Sequence, residues 1–258
     1  MIFDTHAHYD DKWFDDDRDE LIQSLPEAGI GRVVNIASSY ESVDECLALA
    51  HRYDHVYCAL GIHPENCADM TEKMLEEIRT KLSDEKAVAV GEIGLDHYWP
   101  EPDPKIQEHW FARQLQLARE VGLPVVIHSR EAAADTMRIM KENHAEDIGG
   151  VLHCYSYSAE LAREFIKMGF YIGIGGVVTF KNAKKLLKVT KEVPLEKILL
   201  ETDCPYLAPV PFRGKRNSSL YLPYVVTKIA QIKGIPEEEV IRVTERNAEK
   251  MYRLKNTD

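Results

Sequence analysis

The sequence of 258 residues contains no hydrophobic run long enough to cross a membrane and no basic N-terminal leader followed by an apolar segment. Its longest uncharged, mostly apolar run, residues 168–180, includes glycines. That run is shorter than the roughly 20 residues that a membrane-spanning helix needs. We therefore expect a cytoplasmic protein that does not associate with membranes.

Cysteine is also scarce. The five cysteines are odd in number and irregularly spaced, which excludes a disulfide framework and is typical of reduced thiols. Two of them, Cys154 and Cys204, adjoin polar residues at predicted strand ends. We expect both to be packing residues, because neighbours along a strand point to opposite faces.

Positive charge is in deficit, with 32 Lys and Arg residues against 43 Asp and Glu residues and a net charge of −11. This balance excludes a protein that coats nucleic acid or anionic membranes through its overall charge. It leaves open one phosphorylated strand held by metal ions and a local basic cluster. The content of 45% hydrophobic and 29% charged residues is ordinary for a globular protein.

Short apolar runs typical of β-strands recur eight times, and amphipathic stretches with helical spacing separate them. The predicted strands lie near residues 2–3, 33–36, 56–60, 88–90, 124–127, 151–152, 171–174 and 198–200. The predicted helices are 18–28, 42–51, 71–82, 103–121, 131–143 and 159–168, followed by two more within 220–254. No linker interrupts the pattern, so we predict an α/β fold, a (β/α)₈ TIM barrel in one domain over residues 1–258.

Polar residues or glycine-rich turns follow most of the predicted strands. His6 and His8 are two residues apart and therefore face the same way on an extended segment. We expect the fourth strand to end in the glycine-rich turn 91–94. In a barrel all strand ends of this kind meet at the C-terminal mouth. The candidate metal ligands are His6, His8, Glu92, His128, His153 and Asp203.

This set is larger than one ordinary catalytic zinc ion uses, since such an ion takes three protein ligands and a water. We predict two divalent ions, with one ion as the alternative. The ligands divide into His6, His8 and Asp203 for one ion, and His128 and His153 for the other. Glu92 is the predicted bridge, because a carboxylate can offer one oxygen to each ion. Zn, Mn, Mg, Ni and Co all remain open.

Further residues near the expected mouth could contact a substrate. His63 follows the third predicted strand and could polarise a substrate oxygen or anchor its loop. Gly175-Gly176 could let backbone N–H groups approach an anion or could form a tight turn. The cluster Arg213, Lys215 and Arg216 stands out in an acidic protein and suits phosphate oxygens.

Two other sets have both a functional and a structural interpretation. One is a row of lysines at helical spacing, which forms a basic face that is either solvated or ligand-binding: Lys181, Lys184, Lys185 and Lys188. The other is a group of aromatic residues that could stack on bases or serve in packing and loop anchoring: Tyr98, Trp99, Tyr155, Tyr157 and Phe180. The histidines at 51, 55, 109 and 144 are predicted to be surface residues.

Taken together, the motifs resemble the TatD family of metal-dependent hydrolases, deoxyribonuclease-like members of the amidohydrolase superfamily. The resemblance spans the whole chain and is carried by DTHAH at 4–8, GIHP at 61–64, GEIGLD at 91–96, HSR at 128–130, HCYS at 153–156, ETDCPYL at 201–207 and RGKRN at 213–217. It implies a barrel, a divalent-metal centre at the six candidate ligands, and a phosphodiester-cleaving activity that trims DNA from the 3′ end. Tyr157 stands where the family has glycine, and Ser218-Ser219 stand where it has Glu-Pro. We expect both departures to lie near the substrate.

We therefore predict a divalent-metal phosphodiesterase, a 3′–5′ exonuclease on single-stranded or frayed DNA, with no stable protein partner. Asp203 binds a metal ion and moves a proton, Glu92 bridges the ions, and His63 steadies the phosphate together with the basic cluster. One alternative is a dimetal amide or carboxyl-ester hydrolase with a small substrate. Another is a non-catalytic protein that binds metal or nucleic acid.

Overall fold

The computed structural model describes residues 1–254. Eight parallel strands form one sheet in chain order, and each strand pairs with the next. The strands are β1 Ile2–Ala7, β2 Ile30–Ile36, β3 Val56–Leu60, β4 Ala87–Asp96, β5 Val125–Arg130, β6 Gly150–Leu152, β7 Tyr171–Ile174 and β8 Ile198–Leu200. The sheet curls into a nearly closed barrel, which confirms the predicted TIM barrel.

Helices alternate with the strands around the outside of the barrel. They are α1 Arg18–Ser24, α2 Ser42–Arg52, α3 Glu72–Lys81, α4 Pro104–Val121, α5 Ala133–Glu142, α6 Ala159–Lys167, α7 Lys184–Glu192, α8 Leu222–Lys233 and α9 Glu237–Met251. The Thr71 and Ser158 side chains each accept a backbone N–H at the start of α3 and α6. Gly122 ends α4 in the left-handed region, with φ 72°. Within residues 1–254, no helix is both long and apolar enough to span a membrane.

The fourth strand differs from its prediction. β4 continues through residues 91–94 to Asp96, and all of its residues are buried. A Cβ atom on Gly91 would lie 2.6 Å from Cβ of Val126, and one on Gly94 would collide with the His128 carbonyl. These glycines therefore allow β4 and β5 to approach closely. The prediction of a turn here was wrong, because it took the glycines as a strand end.

The closing seam of the barrel, between β1 and β8, is built differently from the other strand pairs. Residues just beyond β8 form the backbone contacts with β1, including an isolated bridge between Ala7 and Cys204. The Asp203 N–H donates to the His6 carbonyl at 2.9 Å. The Thr5 hydroxyl adds a bond to the carbonyl of Leu200 at 2.8 Å. Closure therefore depends on the same short segment that carries a predicted metal ligand.

The buried carboxylate of Asp4 reinforces this seam. It accepts hydrogen bonds from the Thr202 N–H and hydroxyl at 3.0 and 2.7 Å and from the Ser219 hydroxyl at 2.6 Å. Ser219 is fully buried and also lies 2.7 Å from the Tyr9 hydroxyl. We expected Ser218-Ser219 to lie near the substrate, but Ser219 supports the interior of the barrel instead.

Candidate metal centre

The first ligand cluster joins β1 to the segment after β8. His6 and His8 lie on one face of β1 at its end, and their Nε2 atoms are 3.1 Å apart. Oδ1 of Asp203 is 3.4 Å from Nε2 of His8 and 3.7 Å from Nε2 of His6. The structure thus brings together the three residues that the sequence predicts for one ion.

The second cluster joins β5 to the segment after β6. Nδ1 of His128 lies 3.1 Å from Nε2 of His153. His128 lies within β5, and His153 directly follows β6. This arrangement places the two residues predicted for the second ion beside each other.

Glu92 lies between the two clusters and directs one carboxylate oxygen at each. Its Oε2 is 3.3 Å from Nε2 of His6 and 3.8 Å from Nε2 of His8. Its Oε1 is 2.9 Å from Nδ1 of His128 and 2.5 Å from Nε2 of His153. This is the placement that a bridging carboxylate requires.

Outer hydrogen bonds determine which ring nitrogens face the centre. Nδ1 of His8 donates to the Ile36 carbonyl at 2.8 Å, so the neutral ring has its lone pair on Nε2. Nε2 of His128 donates to Asp96 at 2.9 Å, so the neutral ring has its lone pair on Nδ1. Asp96 is buried and was not singled out from the sequence. The sequence did contain a signal for it, because residues 92, 94 and 96 share one face of an extended strand and Glu92 was already a candidate ligand.

His63 differs from His8 and His128 in that its neutral ring directs an N–H, rather than a lone pair, towards the centre. Its Nδ1 accepts the N–H of Glu65 at 3.2 Å, so the neutral ring carries its proton on Nε2. That Nε2 lies 3.6 Å from Oε1 of Glu92. Burial, followed by the nearby charge of His128, lowers the pKa of His63 to about 3. His63 is therefore a neutral hydrogen-bond donor beside the second cluster.

Burial and neighbouring charges shift the pKa values of the groups in the centre. Burial disfavours the charged carboxylate of Glu92, but the surrounding imidazoles hold its pKa well below the usual range. Burial also disfavours charged His8, yet the hydrogen bond and charge of Asp203 raise its pKa to about 9. The pKa of His128 is likewise about 9, because Asp96 and Glu92 outweigh its burial. At neutral pH and without metal, His8 and His128 therefore carry protons that an incoming ion would have to displace.

These donor atoms fit metal ions. Three groups each place their ligand atoms within 4.8 Å of one another: His6, His8 and Asp203; His63, Glu92 and His128; and His6, His153 and Glu201. Imidazole nitrogens mixed with carboxylate oxygens suit first-row divalent ions. The clusters can therefore bind metal.

The third of these groups contains atoms without hydrogen-bond partners. Among the described residues, Nδ1 of His6, Nδ1 of His153 and Oε2 of Glu201 are buried with no such partner. Burial raises the pKa of Glu201 to about 8. Its Oε1 accepts the N–H of Cys154 at 2.6 Å. Glu201 was not predicted as a site residue, although its position directly after β8 was an available signal.

A polar pocket of about 430 Å³ opens over the two clusters. Its outer wall carries the carboxylates of Asp10, Asp11 and Glu65 and the guanidinium of Arg130. That guanidinium lies 3.8 Å from the centre of the Tyr98 ring. Arg130 occurs in one of the recognised motifs, but the sequence alone did not suggest a role for it. We refer to this cavity as the metal pocket.

The three residues of the predicted basic cluster, Arg213, Lys215 and Arg216, differ in whether their charge is paired. Arg216 forms a bidentate ion pair with Asp17, with N–O distances of 2.5 and 2.7 Å, and donates to the Trp13 carbonyl. The Arg213 guanidinium instead lies 4.5 Å from the centre of the Phe180 ring. Arg213 and Lys215 are exposed and form no ion pair within residues 1–254. Of the three residues in this cluster, Arg213 and Lys215 are the ones with an unpaired positive charge in the described part of the chain.

The predicted lysine face is divided in the same way. Lys188 bonds to Glu160 at 2.7 Å. The ammonium groups of Lys184 and Lys185 have no hydrogen-bonding or ionic partner in the described part of the chain. Both line a second cavity, beside Gly175 and Gly176.

The other singled-out side chains have structural roles or remain exposed. The Tyr157 hydroxyl lies 2.9 Å from the Ser129 hydroxyl and accepts the Ala132 N–H at 3.1 Å, which favours loop anchoring. Tyr98 and Trp99 are half exposed, with Tyr155 buried and Phe180 between these extremes. His51, His109 and His144 are exposed, while His55 is half-buried.

The two cysteines beside site residues differ. Cys204 is fully buried, as expected for a packing residue. Cys154 is partly exposed and lines the second cavity. Its backbone is left-handed, with φ 44°, so the strand alternation on which its predicted packing role rested does not apply there.

Comparison with known proteins identifies the family of this chain. The sequence profile of the family described as TatD related DNase matches residues 3–253. The uncharacterised metal-dependent hydrolase YabD of Bacillus subtilis is 44% identical over 254 residues, which cover 98% of this chain and 100% of that protein. The uncharacterised metal-dependent hydrolase YcfH of Escherichia coli K12 is 35% identical over 258 residues, with 98% and 96% coverage.

A solved crystal structure also matches the fold of this chain. The crystal structure of YjjV, a TatD homologue from Escherichia coli K12, aligns with a TM-score of 0.92 at 32% identity and covers 98% of each chain. YjjV therefore shares the fold of this chain over nearly its whole length, and this chain carries clusters that can bind metal. The chain belongs to the TatD family of metal-dependent hydrolases.

Proposed function

We propose that this hydrolase uses two divalent ions to cleave phosphodiester bonds and removes nucleotides from the 3′ ends of single-stranded or frayed DNA. The observation that carries the proposal is Glu92, whose two oxygens face two separate ligand clusters. The 3′ direction and the DNA substrate are carried over from the family resemblance. Arg130 at the wall of the metal pocket, and Lys184 and Lys185 at the wall of the neighbouring cavity, support a phosphorylated substrate.

Two ions held by these clusters would lower the pKa of a bound water and neutralise charge on the phosphate. Burial opposes the charge on Asp203, but the hydrogen bond from His8 lowers its pKa. Asp203 is therefore a carboxylate at neutral pH and can accept the proton of the attacking water. Its position at the wall of the metal pocket gives that water a proton acceptor.

Two donors on the opposite side of the pocket can orient the phosphate. His63 directs the N–H of its Nε2 inward, and Arg130 brings a guanidinium to the wall. Because His63 is neutral, it can donate a hydrogen bond to the phosphate and still hold the product less tightly than another cationic side chain would. Arg130 supplies the planar fork that matches phosphate oxygens.

The test uses demetallated protein and one single-stranded oligonucleotide labelled at either its 3′ or its 5′ end. Zn, Mn, Mg, Ni or Co is added separately, and shortening is followed by gel. We expect mononucleotide release from the 3′ end that depends on metal and is lost in Glu92→Gln. Absence of cleavage with every ion would contradict the nuclease. Turnover of an amide or carboxyl ester in its place would support the alternative hydrolase.

A further inference from the structure

A second cavity of about 590 Å³ lies beside the metal pocket. Its walls are largely carbon, with Val177, Phe180, Leu186 and Leu207 among the lining residues. The volume is typical of a site for a small organic group. Walls of this kind favour a flat, uncharged ring over a hydrated phosphate.

Two exposed lysines line this cavity, and an arginine lies against one of its wall residues. Lys184 and Lys185 line it and are exposed, with no ion pair among the described residues. Arg213 lies over the Phe180 ring, which belongs to the cavity wall. An apolar interior with a cationic rim suits a ligand that combines an aromatic ring with a negatively charged substituent. A nucleotide has this combination.

The cavity adjoins the metal pocket. Asp203 contributes to the walls of both. Glu201 also lines the cavity, and its buried Oε2 lacks a hydrogen-bond partner among the described residues. A substrate whose reacting bond lies at the metal clusters can therefore extend a neighbouring group into the cavity.

We propose that this cavity receives the base of the 3′-terminal nucleotide, with Phe180 as its stacking surface and Lys184 and Lys185 near the adjoining phosphate. The inference rests on the proposed exonuclease function and adds a recognition site for the terminal base. Base stacking on an aromatic side chain tolerates every base. The cavity therefore distinguishes a 3′ end that has a terminal base from one that lacks it, whichever base is present.

The first experiment compares two oligonucleotides that differ only at the 3′-terminal nucleotide, which is thymidine in one and an abasic tetrahydrofuran in the other. We expect metal-loaded wild-type protein to show a kcat/KM at least about fivefold lower for the abasic end. Equal values would overturn the cavity assignment and leave the nuclease intact. Cleavage of neither oligonucleotide would overturn both.

The second experiment fills the cavity with a bulky side chain and compares this variant with a matched control. Ala183→Trp introduces an indole at a residue that lines the cavity, whereas Ala28→Trp introduces the same group at an exposed position before β2. We expect the preference for thymidine over the abasic end to fall towards one in Ala183→Trp and to persist in Ala28→Trp. Persistence of the full preference in folded Ala183→Trp would overturn the proposal.

A binding measurement avoids both turnover and any folding defect of the indole variant. Demetallated wild-type protein is titrated into oligonucleotides that carry 2-aminopurine at the 3′ or the 5′ end. We expect quenching of the 3′ probe only, with less quenching in Phe180→Leu and restoration in Phe180→Tyr. Equal quenching of both probes, or quenching unaffected by Phe180→Leu, would overturn the assignment.

Discussion

The metal pocket and the neighbouring cavity share Asp203 but differ in almost every other property. The metal pocket is lined by imidazoles and carboxylates, and acidic residues surround its outer wall. The cavity has carbon walls and free lysines at its rim. The arrangement separates the groups that suit chemistry from those that suit recognition.

The proposed function requires an acidic protein with a net charge of −11 to accept a polyanion. Overall charge at that value gives no long-range attraction to DNA, so the proposed function depends on local contacts such as those of the cavity. Arg216 and Lys188 are already neutralised by Asp17 and Glu160. Changes in the metal pocket should therefore lower turnover of every substrate, whereas changes on the cavity side should act mainly on KM.

The largest effect is expected from Glu92→Ala. Loss of the carboxylate between the clusters should weaken both ions and reduce kcat by about a thousandfold or more on any substrate, with or without a terminal base. Kinetics on an oligonucleotide and on methyl p-nitrophenyl phosphate measure this. Glu65→Gln, at an exposed position in the same pocket, is the control. Near-normal activity of folded Glu92→Ala would show that the residue is not the bridge.

Metal affinity should depend steeply on pH. His8 and His128 have pKa values of about 9 without metal, so an incoming ion must displace their protons. Affinity should rise about tenfold per pH unit for each displaced proton and level off above pH 9. Calorimetry in buffers of different ionisation enthalpy measures the proton release. Affinity that is already level above pH 6.5 would contradict the raised pKa values.

The same raised pKa values predict how stability changes without metal. A histidine whose folded-state pKa exceeds its unfolded value stabilises the fold fully below about pH 6.5. For His8 and His128 that contribution is lost as pH rises towards 9. The demetallated protein should therefore unfold at lower denaturant concentration at pH 9 than at pH 6.5, and the metal-loaded protein should show less of this difference.

Asp96→Asn should weaken metal binding by about 10- to 100-fold, because Asp96 orients His128 without facing the centre itself. Competition with a chromogenic chelator measures the affinity. The ratio of activity on base-bearing and abasic ends should stay unchanged at saturating metal. Asp69→Asn, on the exposed surface, is the matched control. A changed ratio would show that the two regions are not separable.

Arg213→Ala and Arg216→Ala provide the smallest and most selective contrast. Arg213 is free, so its loss should raise KM on oligonucleotides about two- to fivefold, the range of one exposed ionic contact. Arg216 is paired with Asp17, so its loss should reduce stability by at most about 1 kcal/mol and leave KM nearly unchanged. Steady-state kinetics and urea denaturation separate the two outcomes, and equal effects on KM would contradict the division.

The barrel and the ligand clusters follow from sequence because both depend on local pattern. Apolar runs predicted all eight strands, and residues at their ends, such as His6 and His153, predicted the mouth. Asp96 was missed because β4 continues beyond its glycines. The ion pair of Arg216 joins residues 199 positions apart, and the cavity forms where segments from three loops meet. Sequence spacing does not show that these segments meet, although residues that line the cavity, such as Phe180 and Lys184, stood out individually.

The closing seam gives the metal centre a second consequence. His6 and His8 stand on one side of that seam and Asp203 on the other, and backbone contacts beyond β8 replace a regular ladder there. A cation shared by these residues would cross-link the first strand to the segment after the last strand. Loss of the ion should therefore speed amide hydrogen exchange in β1 more than in β4. The metal-loaded protein, which is the state competent for hydrolysis, should therefore resist proteolysis better than the demetallated protein.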